Sequence, residues 1–488
     1  MKHNVGKTDQ LEFRHLVVDL DGTLSPVDTL HEDFFAVLRG SSIRSVVKAV
    51  FGTSGKAAMK RSLAQMAGRD AGLAPLRQDL VENLGKLKSG GTSLHLVTAA
   101  DQYHADAIGE ATGLFDSVTG SDGRSNLKGP EKARYLKERF PDGFIYAGDS
   151  TADMPVWMAS AGAILVGDGA RHERKLRAQG VPIVGMYKEG GGSMKDWVKL
   201  FRLHQWVKNL LILVPLLLGQ LYLVPEAVAT ALMGVLFWSI AGSGSYVIND
   251  IFDVDADRAH RSKCNRPLAS GRLRVMPASI VAMGMLAMGL AGAFALSTAF
   301  GLALTGYLVV TLSYSFALKK IPLLDVGIIA LLFTSRIVAG SLLLDLPHSP
   351  WLTSFAVFVF LSLALAKRHV EVISSKPSKG AKIAGRGYRH DDWPLTLALG
   401  LSTGMASCVV MLLFITLEAA ARDIYTHPQM LYGTPIVLVF WIMRIWLLSH
   451  RGELHDDPVI FAVKDPVSLG MAGFLFLCFA ASVTSLPL

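Results

Sequence analysis

From Trp206 to its end, the sequence is a succession of long apolar runs separated by short charged stretches. About nine runs, at 207–224, 227–248, 277–297, 300–318, 322–344, 351–366, 395–417, 432–449 and 467–486, each hold roughly 17–25 largely apolar residues, enough for a helix to cross a hydrocarbon core of ~30 Å. One such run would suit a buried soluble helix. Nine in succession predict a polytopic, all-helical membrane bundle. Residues 1–205 carry charge at ordinary soluble density, so the chain is expected to divide near Lys195–Gln205, after the Gly-rich "KEGGGSMKDW". The expected layout is a tail over 1–10, a folded domain over 11–190, a linker over 191–205 and the membrane domain over 206–488.

Lys and Arg set the expected orientation. With the front domain in the cytoplasm, the inner loops hold Arg258, Arg261, Lys263, Arg266, Arg272, Arg274, Lys319, Lys320, Lys367, Arg368, Lys376, Lys379, Lys382, Arg386, Arg389, Arg451 and Lys464, and the outer loops hold only Arg422. That asymmetry fits the positive-inside rule. It predicts a multi-pass protein of the inner (cytoplasmic) membrane, in contact with membrane lipids and with its front domain cytoplasmic. The net charge of +8 then reflects orientation and anionic substrates, and no nucleic-acid partner is inferred. Cys264, Cys408 and Cys478 are widely spaced and imply neither a disulfide framework nor a metal site. "MKHNVGKTDQLEF" lacks the apolar core of a signal peptide. A homo-oligomer is left open.

In the front domain, "HLVVDLDGTL" reads as a buried strand that delivers Asp19 and Asp21 into a glycine-containing loop. Two carboxylates one residue apart at a strand end suit Mg²⁺ binding, with one attacking a phosphoryl group and the other handling the leaving-group proton. "LHLVTAA" is a second strand ending in Thr98, "NLKGPEKARYL" opens a helix with Lys128, and "FIYAGDSTADMPVW" is a third strand ending in Asp149 and Asp153. Strands alternating with helices predict an open parallel α/β sheet of Rossmann-like type, whose ligands sit at the carboxyl ends of the strands.

Over residues 11–185 these motifs resemble the haloacid dehalogenase superfamily of phosphohydrolases. The resemblance implies that Asp19 is the nucleophile and Asp21 the general acid and base. Thr98 and Lys128 would hold phosphoryl oxygens, and Asp149 and Asp153 would complete the Mg²⁺ site with Asp19 and Asp21. Lys132 is a rival to Lys128, which the "LKG" context favours. A helical cap is expected over about residues 26–90. The contrasting reading is a degenerate domain kept for docking.

"YVINDIFDVDADRAHRSKCNRPLASG" closes the second apolar run. If helix continues through it, Asp250, Asp253 and Asp257 fall on one stripe at i, i+3 and i+7, with Asn249 beside them and Asp255 pointing elsewhere. Carboxylates so spaced repel unless a cation sits among them, and hard oxygen ligands suit Mg²⁺ bridging to a diphosphate. Lys263 and Arg266 follow, where a multiply charged phosphate would be gripped. The bland alternative is a solvated cytoplasmic loop.

With "RLHQWVKNLL" and "DVGIIALLFTSRIVAG", this segment resembles the UbiA superfamily of intramembrane prenyltransferases over about residues 200–488. Such proteins join an isoprenoid diphosphate to a lipophilic acceptor with Mg²⁺. The family's second acidic motif is replaced here by "LALAKRHVEVISSKPSKGAKIAGRGYRHDDWPL", where only Asp391 and Asp392 offer an acidic pair. Its KRxxE element is similar to the branch that transfers phosphoribose from phosphoribosyl diphosphate to polyprenyl phosphate. The resemblance implies that Lys367 and Arg368 hold the lipid phosphate or the 5-phosphate. Glu371 would orient a ribose hydroxyl or pair with Arg368, and Tyr388 would join the substrate site. Removal of the product's 5-phosphate gives the front domain a task in making a cell-envelope glycan donor. The alternative is transfer from a prenyl diphosphate to an aromatic or other lipophilic acceptor. A transporter is disfavoured because the acids sit at helix ends. Arg336 and Arg444, inside apolar runs, are substrate contacts, snorkelling side chains or members of an internal ion pair. Lys208 and Asn209 either reach the phosphate region or anchor the interface.

Overall fold

The computed structural model describes residues 14–187, 192–375, 386–421, 425–454 and 458–483. Lys376, Lys379, Lys382 and Arg422, which entered the charge asymmetry, lie outside them. The chain forms two compact units, one of residues 1–201 with 246–281 and the other of 202–245 with 282–488. The expected single boundary near 195–205 is therefore only half of the division. The other cuts fall within the helices Pro225–Phe252 and Val275–Leu296. The expected linker also contains a helix, Met194–Phe201.

In the first unit, β1 (His15–Val18), β2 (Ser93–Asp101), β3 (Ser117–Ser121), β4 (Ile145–Gly148), β5 (Gly162–Val166) and β6 (Ile183–Tyr187) form one sheet, in the order β3-β2-β1-β4-β5-β6. All five pairings are parallel. Alternation along the strands explains the layers: Leu16, Val18, Leu96 and Ala147 enter one apolar core, and Val17, Val97 and Tyr146 enter another on the opposite face. The strand order reverses between β1 and β4, the switch point at which open α/β sheets form a crevice beyond their carboxyl ends. Helices Thr29–Gly40, Ile43–Phe51 and Lys56–Ala67 form a small bundle of their own, with Val37, Val46, Ala49 and Leu63 at its centre. This bundle falls within the cap expected over about 26–90 but covers only 29–67, and the next α-helix, Gln78–Ser89, puts Leu80 and Leu84 into the core beside the sheet.

Among the described residues, eight helices are long and apolar enough to cross a membrane: Pro225–Phe252, Val275–Leu296, Thr298–Phe316, Leu324–Leu343, Pro350–Ile373, His390–Ala419, Pro428–His450 and Pro466–Val483. The first of the nine expected spans, 207–224, does not form one. It is a 3₁₀ stretch, Leu203–Leu213, followed by the short helix Val214–Leu218. Pro215 in the first turn cannot extend that helix upstream, and Gly219 with Gln220 at φ 55° ends it. Small residues permit close packing in the second unit. A Cβ at Gly400 would lie 1.9 Å from the Trp446 ring. Ser362 Oγ donates to the Gly400 carbonyl (2.7 Å) and accepts from Trp446 Nε1 (3.0 Å), so the close approach is locked by a satisfied polar pair.

Candidate active sites

The ends of β1 and β4 bring Asp19, Asp149 and Asp153 together. Each is buried, and each offers a carboxylate oxygen within 4.8 Å of the others. Gly22, at φ +77°, is needed for this approach, because a Cβ there would lie 2.1 Å from Asp149 Oδ2. Asp153 is held by Tyr146 Oη (2.7 Å) and by the backbone amides of Asp149 and Ser150. Burial, reinforced by Asp153 and Asp19, raises Asp149 to about 7. Burial also raises Asp19, against the opposing pull of Lys132. Three clustered carboxylates are a set of hard oxygen donors suited to Mg²⁺, so these residues fit that ion.

Asp21 stands apart from this set. Its carboxylate accepts from Thr29 N (3.1 Å) and Thr29 Oγ1 (3.0 Å). Burial and the nearby Asp28 push it well above the usual carboxylate range, and it is not among the three acids whose oxygens gather at the ends of β1 and β4. Thr98 is buried within β2, which runs on to Asp101 instead of ending at Thr98 as expected, and its Oγ1 accepts from Ala100 N.

The lysine at the site is Lys132, not the favoured Lys128. Lys132 Nζ lies 3.0 Å from Asp19 Oδ1 and donates to Tyr146 Oη at 2.9 Å, while Lys128 is exposed. Gly129, at φ +58°, turns the chain before the helix Pro130–Arg139, so Lys132 comes from the first turn of that helix. Sequence reasoning also missed Lys60, which no motif marks. It shares a small cavity with Asp21, Thr29 and His104 and donates to the Ala99 carbonyl (2.6 Å).

The aspartate-rich stretch, also in the first unit, departs from the expected stripe. The helix Pro225–Phe252 ends before Asp253, whose φ of −97° and ψ of 6° interrupt it, and a short helix, Val254–Arg258, follows. Asp250 and Asp257 still converge, because both meet one Arg266 nitrogen, at 3.1 and 2.6 Å. Asp253 pairs with Arg39, at 3.2 Å. The three therefore do not form one ligand group, although two anionic oxygens gathered around a shared cation do fit a divalent ion. Asn249 lends its carbonyl to Asp253 N (3.0 Å), and Lys263 is exposed. Asp255 does point elsewhere, as expected. It receives Arg69 Nε at 2.8 Å and Nη2 at 2.6 Å, and Arg69 also pairs with the buried Glu32 (2.7 Å) and Asp33 (3.4 Å). Glu32 in turn binds Arg258 at 2.7 and 2.9 Å, and Asp33 binds His104 at 2.6 Å.

The second unit contains two polar clusters. The first is centred on Asp325, which is fully buried at the start of the helix Leu324–Leu343. Arg368 lies 2.8 Å from its Oδ2, and Tyr388 Oη donates to its Oδ1 at 2.8 Å. Arg368 also pairs with Glu371, and Arg386 stands 3.9 Å from both acids. Arg368, Glu371 and Tyr388 thus come together as expected, with Glu371 as the partner of Arg368. Their organising residue, Asp325, was missed. Its signal was a lone carboxylate opening an apolar run. Lys367, on the helix Pro350–Ile373, is half-buried, and Asp391 is exposed. Asp392 accepts from Arg389 N at 2.7 Å, which leaves the expected acidic pair as a helix-start cap.

In the second cluster, Arg336 is buried and donates to Asn209 Oδ1 (2.8 Å) and Tyr307 Oη (3.0 Å). Its guanidinium lies 4.8 Å from the Tyr307 ring, and Lys208 Nζ lies 5.2 Å from the Phe333 ring. Among the described residues no carboxylate forms an ion pair with Arg336. Arg444 differs, because Asp465 receives it at 2.7 and 2.9 Å, which makes it an internal pair.

Residues 212–463, more than half of the chain, match the UbiA prenyltransferase family. The chain belongs to that family. It is an integral, multi-pass membrane protein, and its second unit is a UbiA-type helical bundle. This UbiA-family chain is 46% identical to an uncharacterized protein, y4nM, of Sinorhizobium fredii over 453 residues, 93% of this chain and 88% of that one. It is 33% identical to decaprenyl-phosphate phosphoribosyltransferase of Mycobacterium tuberculosis over 274 residues, 55% of this chain and 88% of that one. A solved UbiA homolog from Archaeoglobus fulgidus, bound to GPP and Mg²⁺, overlays with a TM-score of 0.45 at 18% identity, covering 58% of this chain and 99% of its own.

Proposed function

We propose that the UbiA-family part of the chain transfers 5-phosphoribose from phosphoribosyl diphosphate to polyprenyl phosphate, and that the N-terminal α/β part is a haloacid dehalogenase-like phosphatase that removes the 5-phosphate of the product. A phosphate oxygen of the lipid bonds to the anomeric carbon as the bond from that carbon to the diphosphate oxygen breaks, and diphosphate leaves with the electron pair. Asp250 and Asp257, which converge on Arg266, would hold Mg²⁺, and the ion would help neutralise the departing diphosphate; Asp253, paired with Arg39, would stand outside that pair. Arg266, which now joins Asp250 and Asp257, lies ready to follow the diphosphate charge. Arg336, with Asn209 and Lys208, forms a cationic pocket for a second phosphate. In this reading the first unit lies on the cytoplasmic side, where a water-soluble donor enters.

The observation that carries the phosphoribosyl reading is the Asp325 cluster. It sets Arg368 and Arg386 against Asp325 and Glu371, so its acids are already balanced by guanidinium groups. That arrangement suits a donor with an additional phosphate better than a second acid-bound metal. The similarity to the mycobacterial phosphoribosyltransferase supports the same choice.

In the N-terminal unit, Asp19 would attack phosphorus, the ester oxygen would leave with the proton of Asp21, and water would then release phosphate from the acyl phosphate. Lys132 would hold a phosphoryl oxygen at Asp19. Asp19, Asp149 and Asp153 would bind the Mg²⁺.

Donor competition tests the transferase. Purified protein in detergent with Mg²⁺ is expected to release diphosphate from phosphoribosyl diphosphate only when decaprenyl phosphate is present. Release from a prenyl diphosphate with an aromatic acceptor, and none from phosphoribosyl diphosphate, would instead establish prenyl transfer.

A further inference from the structure

The segment after the aspartate-rich stretch is fastened to the first unit along its length. Arg258 Nε donates to the Ala269 carbonyl at 3.0 Å while its other nitrogens bind Glu32. Gly271, at φ +73°, sits so close to the chain after β1 that a Cβ there would lie 2.6 Å from Pro26 Cγ and 3.0 Å from Pro75 Cγ. Arg272 pairs with Asp196 at 2.8 Å. Leu273 and Val275 are buried. Between these two stands Arg274, with its guanidinium 3.8 Å from Asp149 Oδ2 and 3.9 Å from Asp168 Oδ2.

Asp149 belongs to the buried aspartate set, so this arginine, remote in sequence from the strands that build the set, lies beside it. Both contacts are longer than the ~2.7–2.9 Å of a direct charge-assisted hydrogen bond. Lys132 approaches the same set through Asp19. A phosphate ester carries negative charge toward three carboxylates, and a second cation with a planar fork of donors is the group that matches its oxygens.

We propose that Arg274 is a substrate-binding residue of the aspartate site, holding anionic oxygens of a phosphate monoester whose phosphoryl group meets Asp19. This rests on the phosphatase reading above. The site is then complete only with residue 274 in place. Arg274 immediately precedes Val275–Leu296, a helix long and apolar enough to cross a membrane. A phosphate monoester reaches this position on a lipid headgroup or as a free sugar phosphate, and the assay separates the two.

The test uses the full chain in detergent micelles with Mg²⁺ and two probes, ribose 5-phosphate and farnesyl-phosphoryl ribose 5-phosphate. Phosphate release is measured for the wild type, Asp19→Asn, Arg274→Gln and Arg274→Lys. Arg274→Gln should raise KM by about tenfold or more with kcat within about threefold, and Arg274→Lys, which keeps the charge but not the planar fork, should recover only part of the loss. A lipid-borne substrate gives the lower wild-type KM for the farnesyl probe, and a soluble one gives the lower KM for ribose 5-phosphate. An unchanged KM in Arg274→Gln, with Asp19→Asn inactive, overturns the role of Arg274 alone. Wild-type phosphate release that persists in Asp19→Asn overturns the phosphatase reading itself. Calorimetric binding of ribose 5-phosphate provides a readout independent of turnover. About tenfold weaker binding in Arg274→Gln supports the proposal, and equal or undetectable binding in both proteins overturns it.

Discussion

Replacing Arg69 with alanine should loosen the first unit where its helical insertion meets the aspartate-rich stretch. The guanidinium is 7% exposed and serves Glu32 and Asp33, which are 3% and 2% exposed, together with Asp255 at 44%. Burial alone would raise the Asp255 carboxyl, but its bonds to Arg69 outweigh that and hold it below the usual range. Removing one member of a buried ion pair typically costs ~3–5 kcal/mol. Glu32 keeps Arg258 and Asp33 keeps His104, so the lower end applies, about 3 kcal/mol. Asp255→Ala should cost about 1 kcal/mol or less, since water solvates this half-exposed group. Once Arg69 is gone, Asp255 has little left to lose, so the double variant should cost about 3 rather than 4 kcal/mol. Hydrogen exchange on the detergent-solubilised chain reads this locally. Amides of Thr29–Gly40 and Val254–Arg258 should exchange roughly a hundredfold faster in Arg69→Ala. A change below about threefold, or fully additive single and double variants, would refute the reasoning.

Other outcomes follow from the same geometry. Lys132→Met should lower phosphate release by about 10²-fold, whereas Lys128→Met should stay within about threefold; the reverse order would restore the sequence-based choice. With Asp149 near 7, Mg²⁺ must displace a proton at lower pH, so Mg²⁺ affinity should fall as pH drops from 7.5 to 5.5, and calorimetry in two buffers should show proton release; a flat profile contradicts this. Arg336→Met should raise KM for polyprenyl phosphate by roughly 10- to 100-fold while changing stability by only about 1 kcal/mol, because a buried cation without an ionic partner adds little to the fold. A large stability loss with unchanged KM would mark Arg336 as structural.

The parts of the molecule that could be read in advance are those governed by short-range pattern. Asp19, Asp149 and Asp153 follow apolar strands, and strand ends point their acids into one crevice whatever the rest of the chain does. The eight spans were equally plain from length and apolarity. The first of the nine fell short because Pro215 opens a separate short helix after the 3₁₀ stretch, and Gly219 with Gln220 ends it at once. Lys128 and Lys132 lie on either side of Gly129, at φ +58°, and only Lys132 is carried on the helix that follows it, where it meets Asp19. The aspartate stripe assumed an unbroken helix, and the interruption at Asp253 sent that carboxylate to Arg39. Asp325 was out of reach for another reason. Its partners Arg368, Arg386 and Tyr388 lie more than forty residues away in sequence, and only tertiary packing brings them to it.

The coupling of the two activities is tested most directly by incubating the purified chain with decaprenyl phosphate and phosphoribosyl diphosphate labelled with ³²P in its 5-phosphate. The wild type should give unlabelled ribosyl lipid and free ³²P-phosphate, and Asp19→Asn should accumulate ³²P-labelled lipid. Identical products from both proteins, or no label entering lipid in either, would contradict the account.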